Sequence, residues 1–311
     1  MSALFSGEVV DAHQHFWDPV ANYHPWLAPD ALIPFRYGDY SAIKRRYLPD
    51  DYRADAAGQG IVETVYVETE WDPADPIGET SYASGLAERF GLPNAIVAQA
   101  WLDRDDAEDV IARQASFALV RSVRHKPGGA KDIAGARGTA TLMSDRRWRR
   151  GFGLLAQHGL HFDLQVAWWH LDEAVRLAQD HPDTTIILNH CGLPVPREPE
   201  ALADWRAATA EFARSANTVV KVSGIGVPGQ AWTAALNGDV VRHLLDTFGP
   251  SRCMFGSNFP VDSLCASFAE IVQGMREILA AYLAEEQDAF FCATARRVYR
   301  TGTSTARAST R

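Results

Sequence analysis

Two histidines separated by one residue close the first apolar run of the chain, Val9-Val10-Asp11-Ala12-His13-Gln14-His15. Residues two apart on a strand share a face, so the His13 and His15 imidazoles are expected to converge. A convergent pair can hold one divalent metal ion, or can bind and polarise an oxyanion. The other reading is two hydrogen-bonded histidines at a strand end. His190, in Asn189-His190-Cys191-Gly192, ends a later run and stands where a third ligand or an acid/base is expected. Cys191 reads as a buried small hydrophobe, not as a nucleophile, because strand neighbours point to opposite faces.

A third cluster lies in Cys253-Met254-Phe255-Gly256-Ser257-Asn258-Phe259-Pro260-Val261-Asp262. Asn258 offers the site a neutral amide, and Asp262 a carboxylate four residues on. Asp262 also reads as the N-cap of a following helix. Glu68 and Glu70 share one face at the end of a mostly apolar strand, where unpaired burial in the helix–sheet layer is costly. Their alternative is an exposed strand end bonded to arginines. Arg124, His125 and Lys126 close another strand, and one or more of them can bind an anionic substrate group. Arg124 and His125 are adjacent, so a regular strand turns only one of them inward. Trp168, Trp169 and His170 follow a further run; the tryptophans either wall a ring-shaped substrate or pack between helix and strand.

These residues need a frame that brings strand ends together. Eight short β-branched runs recur along the chain: Glu8–His15, Ile61–Glu70, Ala95–Asp103, Val120–Lys126, His161–Trp169, Thr184–Cys191, Thr218–Gly226 and Arg252–Pro260. Most are nearly continuous hydrophobics, as expected of parallel strands buried on both faces. Helical patterns separate many of them, at Asp106–Phe117, Asp145–His158, Leu171–Asp180, Pro199–Ala216, Val240–Phe248 and Ser267–Leu283. This alternation predicts an α/β fold, a single-domain (β/α)8 TIM barrel over residues 1–300, with Thr301–Arg311 a disordered tail. An open doubly wound sheet would carry a Gly-rich turn after its first strand, where this chain has His-Gln-His-Phe-Trp. Barrel enzymes build their sites at the C-terminal ends of the strands. Two long segments follow such ends: Phe16–Leu48, rich in aromatics and prolines, and the Gly-rich Lys126–Leu142. The first is expected to cover the pocket.

The composition is that of a folded protein, with 47% hydrophobic and 22% charged residues among 311. A net charge of −9 argues against a nucleic-acid partner, which needs a basic face. Four cysteines without a CxxC pair suggest a reducing compartment. The sequence shows no signal-peptide pattern and no apolar run of membrane-spanning length, so the expectation is a cytoplasmic protein that acts on a small molecule. A homo-oligomer is left open.

The His13-Gln14-His15 start, the His190 segment, Lys221-Val222-Ser223-Gly224 and the Met254–Asp262 segment together resemble the amidohydrolase-related family of metal-dependent TIM-barrel hydrolases. That family includes sugar-acid lactonases, sulfomuconolactone hydrolase and pyrone-dicarboxylate lactonase. The resemblance runs from Val9 to about Arg297. It implies that His13, His15 and His190 are site residues and possible ligands of one divalent ion such as Zn2+. It also implies an acidic residue just after the last strand, as metal ligand or as base. There the chain departs: Gly256-Ser257-Asn258-Phe259-Pro260 stands where the family pattern is Gly-Ser-Asp-Trp-Pro. An amide accepts no proton at neutral pH and is a weaker metal ligand than a carboxylate. Asp262, Glu68 or Glu70 is left to supply the carboxylate.

The resulting expectation is hydrolysis of a lactone by water. The three histidines stabilise the oxyanion or hydroxide, Asp262 or Glu68 takes the proton, and Arg124 or Lys126 orients the substrate. Two alternatives accompany it. One is a non-oxidative decarboxylase of the same superfamily, which would release CO2 without net addition of water. The other is an inactive barrel that binds a ligand without turnover.

Overall fold

The computed structural model describes residues 4–136 and 138–302. Among them, eight parallel strands pair in chain order, and this is the predicted (β/α)8 barrel. The strands are β1 (Val9–Gln14), β2 (Ile61–Val67), β3 (Ala95–Gln99), β4 (Val120–Arg124), β5 (His161–Leu164), β6 (Ile186–Leu188), β7 (Thr218–Val222) and β8 (Cys253–Phe255). Each falls inside one of the expected runs but is shorter, because the polar end of the run has left the sheet to form the site. The ring closes between β1 and the segment after β8. Gln14 bridges to Phe259, the His15 N–H donates to the Phe259 carbonyl at 2.8 Å, and the Asn258 N–H to the His13 carbonyl at 2.7 Å.

Alternation along the strands builds two apolar layers. Val10, Ala12, Val65, Val67, Val97, Ile187, Val219 and Met254 fill the barrel, and Val298 and Tyr299 of the last helix, Thr294–Tyr299, join them. The opposite faces carry Val9, Tyr66, Ile96, Phe162, Leu164 and Val222 into the larger core under the outer helices. Inside the barrel, Lys221 of β7 pairs with Asp163 of β5 at 2.6 Å, both fully buried. The Tyr299 hydroxyl donates to the same carboxylate at 2.9 Å. Burial lowers the Lys221 ammonium to about 8, against the opposing pull of Asp163.

The outer helices follow the sequence pattern closely at Leu171–Asp180 and within a few residues at Pro199–Ala213 and Phe268–Leu279. Helix Pro76–Phe90 was not legible, because its buried face includes Glu79 and Thr80 beside Ala83 and Leu86. Of the segment expected to be a disordered tail, Thr301 is buried and its hydroxyl donates to Glu63; residues 303–311 lie outside the described residues. Among the described residues no helix is long and apolar enough to cross a membrane.

Candidate active site

His13 and His15 do reach the barrel mouth, but regular alternation does not put them there. Val10 and Ala12 face inward, so a regular strand would turn His13 outward. A register shift in β1 between Asp11 and Gln14 breaks the alternation and lets both imidazoles enter the mouth. The neighbouring Asp11 anchors the shift. Its carboxylate accepts from the His13 N–H at 3.1 Å, the Ser257 N–H at 2.8 Å and the Tyr52 hydroxyl at 2.7 Å.

The His13 ring lies 5.0 Å from that of His15 and 4.5 Å from that of His190, centroid to centroid. His190 leaves β6 with φ 52°, Cys191 follows at φ 59°, and Asn258 leaves β8 at φ 56°. Left-handed backbone at non-glycine residues is held by its surroundings and concentrates at functional sites. All three histidines are buried, contrary to the solvent-open rim that strand-end placement suggests. Burial, followed by neighbouring positive charges, lowers each imidazole: His15 to about 3, His13 and His190 well below the ordinary value. All three are therefore neutral at pH 7.

Neutrality fixes the chemistry of His15. Its Nδ1 lies 2.8 Å from the Val67 carbonyl, an acceptor, so Nδ1 carries the proton. Nε2 then has only a lone pair, and it faces Asn258 Oδ1 at 3.3 Å. The amide cannot turn round, because Asn258 Nδ2 donates to Asp262 Oδ1 at 2.6 Å. Two acceptors thus confront each other. In His13 both ring nitrogens are buried without a hydrogen-bond partner, and His190 Nδ1 meets the Ser223 hydroxyl at 2.9 Å. Among the described residues no group of three His, Cys, Asp or Glu side chains is placed to hold a metal ion. The set that lies together includes an amide. Its lone pairs and the orphaned His13 nitrogens are groups that a bound cation satisfies, so the donor chemistry fits a divalent ion.

Asp262 caps no helix; the Phe268–Leu279 helix is capped by Ser267. Besides Asn258, the Asp262 carboxylate accepts from the Tyr37 hydroxyl at 3.0 Å and has Arg36 at 3.7 Å. Burial raises its pKa despite these partners. Glu68 is placed differently. Its carboxylate is clasped by Arg124 Nε and accepts from the Glu70 N–H at 2.8 Å. Burial acts to raise Glu68, but Arg124, Lys126 and that N–H together hold it below the ordinary value. The Arg124 guanidinium is fully committed, to Glu68 and to Gln165 at 3.1 Å. Lys126 pairs with Glu70 at 2.9 Å and remains one-third exposed.

A cavity of about 300 Å³ opens over this floor, lined by His15, His190, Asn258, Glu68, Glu70, Arg124 and Lys126. The Phe16–Leu48 segment roofs it with Trp17, Trp26, Phe35 and Arg36. Trp26 and Phe35 stack at 6.0 Å with 7° between their planes, and Phe35 packs on Tyr40 at 4.8 Å. The structure does not bring His125 or Trp168 to this cavity. His125 faces a neighbouring one. Trp168 packs on Trp169 and donates to the Val195 carbonyl at 3.0 Å, which is the packing alternative for that residue. Cys191 is buried and its thiol is pushed up to about 12, as expected of an inert cysteine. Arg36 and Tyr37 join the site without having been singled out from the sequence, as does Ser223, which was quoted within its strand motif but given no role. The only signal for the first two was the length and aromatic content of their loop.

The amidohydrolase family profile matches residues 10–301. An uncharacterised protein of Sinorhizobium fredii is 36% identical over 298 residues, 94% of this chain and 98% of that one. An L-fucono-1,5-lactonase of Burkholderia multivorans is 28% identical over 302 residues, 93% of this chain and 95% of that one. Among solved structures, an amidohydrolase from Burkholderia multivorans with bound zinc superposes with a TM-score of 0.76 at 26% identity, over 94% of this chain and 99% of that one.

Proposed function

This chain belongs to the amidohydrolase family, and on that premise we propose that it hydrolyses a small cyclic ester, a lactone, by attack of water on the ring carbonyl. The observation that carries the reading is the cluster of three neutral imidazoles at one barrel mouth, with both His13 nitrogens buried and unpartnered beneath a cavity of about 300 Å³. Buried polar atoms without partners are rare in folded proteins and call for a ligand or a reacting group. The lactonase-named relative supports the choice of bond.

Asp262 is the base in this proposal. Glu68 is already neutralised by Arg124, whereas burial makes the Asp262 carboxylate more basic. Asp262 also orients Asn258, so that the amide oxygen faces the site. His190 Nδ1 accepts a hydrogen bond from the Ser223 hydroxyl, and the ring presents Nε2–H to the developing oxyanion. Arg36 and Lys126, the cations with exposed side chains, hold the oxygen substituents of the substrate, while Arg124 fixes Glu68. A divalent ion would be held by His13, His15 and the Asn258 oxygen, with His190 left as the donor to the oxyanion, and would supply Lewis-acid polarisation of the carbonyl and a more acidic water.

The test is a panel of γ- and δ-lactones assayed by proton release, with metal content measured on the same protein. Turnover of at least one lactone at micromolar enzyme, abolished in His190→Ala, is expected. Release of CO2 from aromatic acids without lactone turnover would replace this reading with a decarboxylase. Saturable lactone binding without turnover would replace it with a binding module.

A further inference from the structure

A second cavity, of about 480 Å³, lies beside the first at the ends of β2, β3 and β4. The two share a wall of Glu68, Glu70, Arg124 and Lys126, with Trp26 and Ile33 above it. On that wall each carboxylate is matched by a cation, Glu68 by Arg124 and Glu70 by Lys126, so the wall offers no net charge to a ligand. The far side is apolar and flat, made by Trp71, Trp101, Pro25 and Pro73. Trp101 is held in place by Arg104, whose guanidinium lies 5.6 Å over the indole and is clamped on Asp106 by two bonds of 2.7 and 2.8 Å.

His125 supplies this cavity with one directed polar group. Its Nδ1 receives the Trp148 indole N–H at 3.0 Å and the Leu102 backbone N–H at 3.1 Å. Both partners are donors only, so Nδ1 carries no proton. The neutral ring then carries its hydrogen on Nε2, a tautomer fixed from behind by two core contacts. The ring sits 6.3 Å from that of Trp101, inclined by 32°. The tryptophan- and proline-lined side, the cancelled charges and the directed His125 N–H together define one kind of ligand.

We infer that this second cavity is a subsite for an uncharged planar ring bearing a hydrogen-bond acceptor, stacked on Trp101 and bonded to His125 Nε2. Joined to the first cavity through their common wall, it extends the substrate beyond one lactone ring. That extension rests on the hydrolase reading; occupation of the cavity does not.

Acetophenone, a neutral aromatic ring with one carbonyl acceptor, is the probe. Titration is followed by the ¹⁵N signals of His125 in the native protein and repeated with Trp101→Leu. Saturable binding, a shift of the protonated Nε2 signal and affinity about tenfold weaker in the variant are expected, as for loss of an aromatic stacking partner. The Nε2 shift is read in unaltered protein, so a poorly folded variant does not remove the test. Binding that leaves the His125 signals unmoved, or no saturable binding at millimolar probe, overturns the subsite. Hydrolysis of δ-valerolactone, which is too small to fill both cavities, is measured in parallel. Its absence counts against the hydrolase reading alone.

Discussion

His15 Nε2 and Asn258 Oδ1 face each other at 3.3 Å as two acceptors, each locked in that orientation from behind, by the Val67 carbonyl and by Asp262. A carboxylate in place of the amide would lose the N–H that now donates to Asp262 and would set two acids about a hydrogen bond apart. Like charges so placed cannot both ionise without cost. Asn258→Asp is therefore expected to melt several degrees lower than the native protein in chelator, and to regain that loss on addition of Zn2+. Metal content should rise, with no necessary gain in rate. Equal melting temperatures with and without zinc would refute this.

Alanine at His13 and at His15 should separate function from stability. Both substitutions should abolish turnover. His13→Ala removes a ring whose nitrogens bond to nothing, whereas His15→Ala also strands the Val67 carbonyl. Leaving a buried acceptor unpaired costs about 1–3 kcal/mol, so His15→Ala is expected to be the less stable of the two in urea titration. The reverse order would show that His13 has a structural partner.

The two carboxylates should also part company. Asp262→Asn is expected to lower kcat by roughly 10²–10⁴-fold, the usual worth of a general base. Glu68→Gln instead leaves the buried Arg124 charge uncompensated, a loss of about 3–5 kcal/mol, and its main effect should appear in the melting temperature. A catalytic collapse in Glu68→Gln with normal melting would move the base to Glu68.

Glu79 gives a stability test remote from the imidazoles. Its carboxyl accepts from the Thr69 N–H and from the Thr69 and Tyr66 hydroxyls, at the end of β2. Burial, then the charge of Glu68, raises it from 4.5 to about 7. The folded protein thus binds this proton more tightly than the unfolded chain does. The associated stability is full below pH 4.5, falls between 4.5 and about 7, and is gone above. Glu79→Gln should remove that pH dependence, and so gain stability relative to the native protein at pH 8 compared with pH 5. A constant difference between the two proteins from pH 5 to 8 would contradict the shift.

The barrel was legible because buried parallel strands write continuous apolar runs, and all eight runs contain a strand. The polar strand ends were equally legible as a cluster, since His13, His15, His190 and Asn258 interrupt such runs at the same end. What the sequence could not carry was orientation. The β1 register shift depends on Asp11 meeting Ser257, 246 residues away, and no local spacing encodes it. Arg36 and Tyr37 reach Asp262 from a loop without periodicity. The pairing of Glu68 with Arg124 was open among several arginines, and only packing decided it.

The Tyr299 hydroxyl on Asp163 ties the far end of the chain to the floor beneath the imidazoles. Lys221 stands between the two, over the Tyr299 ring at 4.8 Å and against the Asp163 carboxylate. The last helix is thus a stopper whose tip holds a buried charge in place. A chain cut just before Tyr299 would keep every residue named at the mouth, yet would leave Asp163 and Lys221 open to water from below. Shortening the protein at its C-terminus is a way to disturb the active site from the opposite end of the barrel.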